Sequence, residues 1–567
     1  MSDIPDSRGT NAFRSDPAFA ALMTIYLPDD LQGTILPQLD TMGALVGDRL
    51  ERLALTADGN PPVLHPRTRT GADAPHVEKH PAYEEMERIA FGQFGLAAMS
   101  HRAGVFGHPD RLHPMAKYAL VYLFVQAEFG LCCPLSMTDS LTRTLTKFGS
   151  DDLKARHLDA LTSQDMDDLC QGAMFMTEQA AGSDVGATTT IARERDGRWR
   201  LYGDKWFCSN PDAGLAMVLA RPEGQQDGTR GLSLFLLPRD LPDGSRNACR
   251  IVRLKDKLGT RSMASGEIVL EGAEAWLVGE AGQGFKQMTD MINMSRLANG
   301  VRSAGLMRRA ASEALYIARH RRAFGQRLMD MPLMRRQLAK LVLPAEQGRS
   351  MVFHTARILH AADSGDATAA RVLRILTPLI KFRTCRDARQ AAGDGMEVRG
   401  GCGYIEEFSD ARILRDAHLG SIWEGTSNIV ALDVARAAIR AGSLAALGGY
   451  LRGLLDDIGA PLDVEIRLAL DRAEALMAAV ADRPDEVRRA ASALYHVTSA
   501  TFLAWESAHL AARFPQIAAD RATLARTVLN HRLSPRDPLA MPEPPADLTG
   551  LLDRARIDTQ PRPLAAE

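Results

Sequence analysis

The sequence lacks the features that mark several function classes. No run of about 18 uncharged apolar residues occurs, so no membrane-spanning helix is expected. The polar start MSDIPDSRGTNAFRSD has no apolar signal core. Cysteine is sparse: seven residues, scattered and without CxxC spacing. That pattern argues against a disulfide framework or a zinc site and for reduced thiols in a cytoplasmic protein, with no metal expected. Charge of one sign is also missing, since the formal net charge is −2. Lysine is absent from Ala441 to Glu567, where 14 Arg stand against 17 Asp plus Glu. Neither balance supplies the basic surface that nucleic acid requires, so a nucleic-acid partner is not expected. GxGxxG spacing inside a parallel βαβ unit is missing as well, which excludes a nicotinamide-type dinucleotide fold.

What is present is a chain of 567 residues, 46% apolar, long enough for three or four domains. Residues 1–27 read as a flexible N-terminus. From 28 to 171 the spacing is helical, broken at GNPPVLHP and GHPDRLHP, and AKYALVYLFVQAEF (Ala116–Phe129) is apolar on all sides, as a buried helix would be. From 172 to 284 the period shortens. RWRLYGDKWFCSN, LAMVLA, GLSLFLLP and GEIVLEGAEAWLVG are short apolar or alternating runs between turn residues, which predicts a middle antiparallel β-domain. Helical spacing returns over 285–445 and again over a C-terminal extension, 446–567, with a Pro-rich end from Ser534. The predicted class is α+β, mainly α, because strands segregated from helices do not build a doubly wound sheet.

Chemistry concentrates in a few segments. SIWEGTSNIV sets Glu424 between Trp423 and a small polar run. Partial desolvation beside the indole would suit that carboxylate to take a weakly acidic C–H proton. TEQAAGSDVGATTT, at the entry to the β-domain, can bring backbone N–H groups and hydroxyls to a phosphate or a heterocycle edge, or serve only as a polar loop. In KWFCSN, Phe207 and Ser209 fall on one face of a strand, as a ring and a hydroxyl beside a flat cofactor or as ordinary strand residues. RHRRAFGQ ends a helix, where Arg321 caps the dipole or grips phosphate oxygens. The glycines of GMEVRGGCGY fit either a tight turn or a close approach of backbone to a ligand.

Taken in order, TEQAAGSD, KWFCSN, KLGTRS, RHRRAFGQ, GGCGY and IWEGTSNI resemble the acyl-CoA dehydrogenase family over about residues 80–440, and the length and N-terminal features resemble its larger AidB-like branch. The resemblance implies an N-terminal helical domain, a middle β-domain and a second helical bundle, with FAD held noncovalently. It implies that Thr177 and Ser183 meet the flavin and its phosphate region, Ser183 also adjoining the substrate. Phe207 and Ser209 would lie beside the isoalloxazine. Arg321 and Phe324 would serve the pyrophosphate and adenosine of a neighbouring subunit's FAD, in a homodimer or homotetramer. Gly400 and Gly401 would lie near the adenine, Thr426 and Asn428 would touch FAD, and Asn293 and Arg296 would flank the substrate. Glu424 would be the catalytic base, removing the α-proton of an acyl-CoA while hydride passes to flavin N5 and electrons go on to an electron-transfer flavoprotein. Three residues depart from the family pattern: Pro332 for a glutamine contacting FAD, Phe207 for a tryptophan, and Asn293 for an acidic residue. The alternative function is that of a DNA-associated alkylation-response flavoprotein with marginal dehydrogenase activity.

Overall fold

The computed structural model of the chain describes residues 4–535, 539 and 549–554. Its first helices are α1 (Pro17–Tyr26), α2 (Asp29–Gly47) and α3 (Arg49–Gly59). A hairpin, β1 (Val63–Arg67) with β2 (Asp73–Glu78), follows, then α4 (Pro81–Glu87), α5 (Pro114–Phe124), α6 (Cys132–Phe148) and α7 (Asp151–Leu161). The middle segment holds β3 (Gly172–Phe175), β4 (Ile191–Arg195), β5 (Arg198–Ser209), β6 (Leu215–Pro222), β7 (Ser233–Pro238), β8 (Cys249–Leu254) and β9 (Ser265–Val278). Three long helices come next, α8 (Gly284–His320), α9 (Pro332–Asp363) and α10 (Ala367–Arg399), with a two-rung hairpin, β10 (Arg322–Ala323) and β11 (Gln326–Arg327), between the first two. The described chain closes with α11 (Ser409–Gly420), α12 (Ser427–Arg440), α13 (Ser443–Leu455), α14 (Leu462–Ala478), α15 (Val487–Leu510), α16 (Pro515–Val528) and α17 (Thr549–Arg554). The mainly helical α+β class with a middle β-domain is therefore what the chain adopts. None of the described helices is long and apolar enough to cross a membrane.

Four sequence expectations change. Residues 17–26 are a helix, not a flexible tail: Asp16 caps it by accepting from the Phe19 N–H at 3.1 Å, and Phe19, Leu22, Met23 and Tyr26 are buried. GNPPVLHP does not merely break a helix, because its Val63–Arg67 portion pairs as a strand. The buried helix expected over 116–129 stops at Phe124, and the stretch to Phe129 stays buried in turns. The β-domain is not wholly antiparallel, since β3 and β4 each run parallel to β6. Most of the Pro-rich end lies outside the described residues.

The chain packs as two compact units. One comprises Arg52–Leu112 and Glu128–Ala298 and contains the sheet. There β5 pairs with both β4 and β9, β9 with β7 and β8, and β7 with β6, so that the sheet closes on itself through the β4–β6 and β6–β7 pairings. Alternation along the strands, reset by register shifts between β5 and β9, sends Leu201, Cys208, Val218, Phe235, Ile268 and Ala273 into its core.

The other unit comprises Met1–Glu51, His113–Ala127 and Asn299–Glu567. The segment expected as a C-terminal extension belongs to this unit: α15 packs against α9, α10 and α1. Its centre is aromatic, with Phe19, Tyr122 and Phe353 in mutual contact and His354 stacked on Phe502 at 3.9 Å. Beside these rings lies a buried ion network. Glu346 accepts from Arg308 at 3.0 Å, from Arg521 at 2.5 Å and from Arg349. Asp16 accepts from Arg308 at 3.1 Å and from Arg349 at 2.5 Å, so the N-cap of α1 is part of the network. Burial pushes the Glu346 carboxyl up, but the Arg349, Arg521 and Arg308 guanidiniums outweigh it and hold its pKa at about 2.

Breaking such a network leaves charge buried without its partner. Arg349→Met should therefore destabilise the chain by about 3–5 kcal/mol, read as a lower urea midpoint. The pH dependence has a fixed sign. The folded pKa of Glu346 lies below its free value, so its contribution is complete above the unfolded value and drains away as pH falls toward about 2. Between about pH 5 and about pH 3 the wild-type midpoint should fall more steeply than that of Glu346→Gln.

Candidate active site

The segment that joins α11 to α12 is six residues, 421–426, and its backbone is unusual. Glu424 sits at φ 57° and Gly425 at φ 104°. An L-residue in the left-handed region pays on the order of 1–2 kcal/mol against its Cβ, so something must hold Glu424 there. Gly425 is required next, since a Cβ at that φ would be strained and would also lie 3.2 Å from Ile429 and Val430 side-chain carbons. Lys381, buried on α10, donates to the Gly425 carbonyl.

Two residues of α8 receive the carboxylate. Arg302, with no side-chain exposure, places Nη2 3.9 Å from Glu424 Oε1, and Asn299 Nδ2 donates to Oε2 at 3.5 Å. Asn299 also donates to the Gly420 carbonyl at 3.2 Å, tying α8 to the last turn of α11. The Arg302 guanidinium stands 4.7 Å from the Trp423 ring centroid. The Glu424 side chain is 7% exposed. The indole expected beside it is thus accompanied by a buried cation and an amide. This arrangement can present one aimed carboxylate oxygen to a proton while keeping bulk water away from it.

Thr426 stands at the N-cap of α12, but its hydroxyl does not close the cap. Asn428, one turn further, accepts from Arg488 Nη1 at 3.3 Å. Glu424, Thr426 and Asn428 are therefore brought together on a single turn. Arg321 and Gly400 form a separate group. Arg321 Nη1 donates to the Arg399 carbonyl at 2.8 Å, and a Cβ on Gly400, whose φ is 75°, would stand 3.3 Å from that nitrogen. Gly401 follows in the same turn of 3₁₀ helix, Gly400–Tyr404. Buried pairs fix this corner: Arg399 bonds Asp410 and Glu313 at 2.6 Å each. Burial first, then Glu313, raises the Asp410 pKa to about 6 against the pull of Arg399. Lys381 and Arg399 are 18 residues apart on α10, about 27 Å at 1.5 Å per residue, so one chain does not bring Arg321 to Glu424. Phe324 tips the β10–β11 hairpin at φ 52° and is 95% exposed.

The remaining candidates belong to the unit that holds the sheet. The Trp206 N–H donates to the Thr177 carbonyl at 2.8 Å, which sets the TEQAAGSD loop beside the end of β5. Glu178 closes that loop, accepting from Lys205 at 2.7 Å and from the Thr189 and Thr190 hydroxyls at 2.7 and 2.6 Å. Burial raises the Glu178 pKa, but Lys205 and these donors bring it down to about 2. Ser183 is exposed on the loop and Thr177 is half-buried. Phe207 is 58% exposed, Cys208 is buried and Ser209 is half-buried, the alternation expected of a strand that presents ring and hydroxyl outward. Asn293 and Arg296 lie three apart on one face of α8, and Asn293 Oδ1 is buried with no hydrogen-bond partner among the described residues.

Sequence reasoning missed Asn299, Arg302 and Lys381, the residues that hold the Glu424 turn, and Lys255, whose Nζ lies 3.4 Å from the Trp206 ring centroid and 4.8 Å from that of Phe207. A usable signal for the first two existed. Asn299, Arg302 and Ser303 are polar at helical spacing inside LANGVRSAGLM, all of it buried. No cluster of His, Cys, Asp or Glu fit to hold a metal occurs among the described residues.

Comparison with known proteins gives the family and the fold. Residues 282–439 match the acyl-CoA dehydrogenase C-terminal domain, 173–273 its middle domain, and 3–168 the N-terminal domain of the adaptive response protein AidB. The putative acyl-CoA dehydrogenase AidB of Escherichia coli (strain K12) is 36% identical over 442 residues, 75% of this chain and 78% of the relative. Acyl-CoA dehydrogenase family member 11 of Caenorhabditis elegans is 32% identical over 437 residues, 75% and 70% of the two chains. The crystal structure of Caenorhabditis elegans ACDH-11 in complex with C11-CoA superposes with a TM-score of 0.87 at 28% identity, covering 95% of this chain and 93% of that one. An acyl-CoA dehydrogenase complexed with FAD from Bacillus anthracis shares the fold at a TM-score of 0.66 and 20% identity, over 85% and 86% of the chains. The chain belongs to the acyl-CoA dehydrogenase family, in the branch that carries the AidB-type N-terminal domain.

Proposed function

We propose that this chain is an FAD-dependent acyl-CoA dehydrogenase that converts an acyl-CoA thioester to its 2-enoyl-CoA, with Glu424 as the base. The observation that carries this reading is the strained, shielded carboxylate: left-handed backbone at Glu424, a side chain 7% exposed, and Arg302, Asn299 and Lys381 fixing it from two helices. Strain maintained by surrounding contacts is common at reactive groups and serves no evident packing purpose here. A relative crystallised with C11-CoA supports a CoA thioester as substrate.

The residues fit FAD. Phe207 offers an exposed ring and Ser209 a hydroxyl on its outward face. Thr426 has a hydroxyl not spent on its own cap, and the Gly400 turn has room that a Cβ would narrow against Arg321. Bound FAD would supply the two-electron acceptor for the hydride that leaves the substrate β-carbon. Glu424 takes the α-proton onto a carboxylate oxygen as the C–C double bond forms, and releases it after the product departs. Arg302 and Asn299 keep that oxygen aimed while the developing charge moves to the thioester carbonyl. Asn293 and Arg296 orient the acyl end, the buried Asn293 Oδ1 being an acceptor that a substrate group would satisfy. Thr177 and Ser183 close over the cofactor from the loop beside β5.

Arg321 and Phe324 act on a neighbouring subunit's FAD. The separation along α10 between Arg399, which Arg321 bonds, and Lys381 of the Glu424 turn, with the exposure of Phe324, supports a homo-oligomer in which each chain completes its neighbour's site. Electrons leave to an electron-transfer flavoprotein in the cytoplasm.

Glu424→Gln should retain bound flavin and lose about 10²–10⁴-fold in turnover, the range typical of a general base. Retained full activity would remove Glu424 from the mechanism. Arg321→Gln combined with Phe324→Ala should release FAD during gel filtration while leaving Glu424 chemistry recoverable on adding excess FAD. An unchanged flavin content would overturn the assignment of these two residues.

A further inference from the structure

A polar cavity opens on the same helix that steadies the Glu424 turn. It encloses about 340 Å³ and is lined by Arg383, Arg386, Asp387, Arg389 and Gln390 of α10 and by His418 of α11. The arginines recur every three residues, so all three fall on neighbouring positions of one helix flank. Asp387 is the one carboxylate in the lining, and Arg383 already engages it through Nε at 3.0 Å and Nη2 at 2.7 Å. Arg386 and Arg389 make no ion pair among the described residues, and Arg389 Nε is buried without a hydrogen-bond partner there. Arg488, from the start of α15, adds a further charge close by, and the acceptor it reaches, Asn428 Oδ1, is neutral.

Positive charge gathered in this way disfavours itself. Burial first, then the charges of Arg488, Arg383 and Arg389, pushes the Arg386 guanidinium below its ordinary pKa. An ordinary solvated helix face avoids such repulsion by interleaving carboxylates, as α14 does with Asp463 and Arg467. An anion in the cavity would relieve it. Two planar guanidiniums match tetrahedral phosphate oxygens better than a halide or a monodentate carboxylate. The volume lies near the lower end of small-ligand sites, about 300–1,000 Å³, which suits one or two phosphate groups.

We propose that this cavity is a binding site for a phosphate group, free or carried by a nucleotide, held by Arg386 and Arg389. Its connection to the Glu424 turn runs through Arg488, a charged neighbour of Arg386 outside the lining, which donates to Asn428, four residues after Glu424. Occupancy would therefore be felt at the start of α12.

The test uses the intact flavin-loaded protein, exchanged into phosphate-free buffer, and titrates inorganic phosphate and pyrophosphate by calorimetry. Acid-released nucleotide is quantified on the same samples. The wild type should bind one anion saturably, and Arg386→Gln/Arg389→Gln should weaken that binding at least about tenfold, equivalent to about 1.4 kcal/mol. If the purified wild type binds no added anion but carries nucleotide that the double variant lacks, the phosphate belongs to that nucleotide and the site stands. Asp387→Asn gives an independent arm, because freeing Arg383 should tighten phosphate binding. No anion binding together with unchanged nucleotide content in the double variant would overturn the proposal. So would affinity unaltered by Asp387→Asn where binding is measurable.

Discussion

The left-handed turn at Glu424 is the constraint on which the account rests. A carboxylate in this backbone conformation is intrinsically disfavoured, and it is kept there by parts of the chain far away in sequence. Lys381 holds the following carbonyl from α10, while Asn299 and Arg302 hold the carboxylate from α8. The four helices that meet at this turn, α8, α10, α11 and α12, are consequently not interchangeable scaffolding. Their relative positions set where one oxygen atom points.

Those positions are fixed largely by buried charge. Glu346, Asp16, Arg308, Arg349 and Arg521 join α1, α8, α9 and α16 through the middle of the helical unit, and Glu313, Arg399 and Asp410 do the same at the far end of α10. Each network is directional in a way that apolar packing is not, so it specifies how the helices sit against one another. On the outer flank of α10, Arg386 and Arg389 lack such partners among the described residues, which is why that flank reads as a ligand site and the buried flank as structure.

The fold was legible where hydrophobic period was clean. The runs RWRLYGDKWFCS, SLFLLP and SGEIVLEGAEAWLV became strands, and the long amphipathic segments after 284 became helices. The turn that carries Glu424 was legible from its residues, Trp423 on one side and Gly425 with a polar run on the other. The first 27 residues were misjudged because their polar start masked a short helix whose stability comes from tertiary burial and from Asp16, an acid that pairs with arginines more than 290 positions away. Asn299 and Arg302 were legible only as polar residues at helical spacing in an apolar run, and Lys381 left no such mark. Nothing local names the turn, 40 or 120 positions later, that such a residue supports. The parallel pairings of β6 were hidden too, because a short apolar run carries no record of strand direction.

The most direct measurement is anaerobic addition of acyl-CoA to the purified, flavin-loaded protein, followed by the visible flavin absorbance. The account predicts bleaching, slower when the substrate carries deuterium at the α-carbon, with 2-enoyl-CoA recovered from the mixture. Flavin that dithionite reduces but that no acyl-CoA bleaches would contradict it.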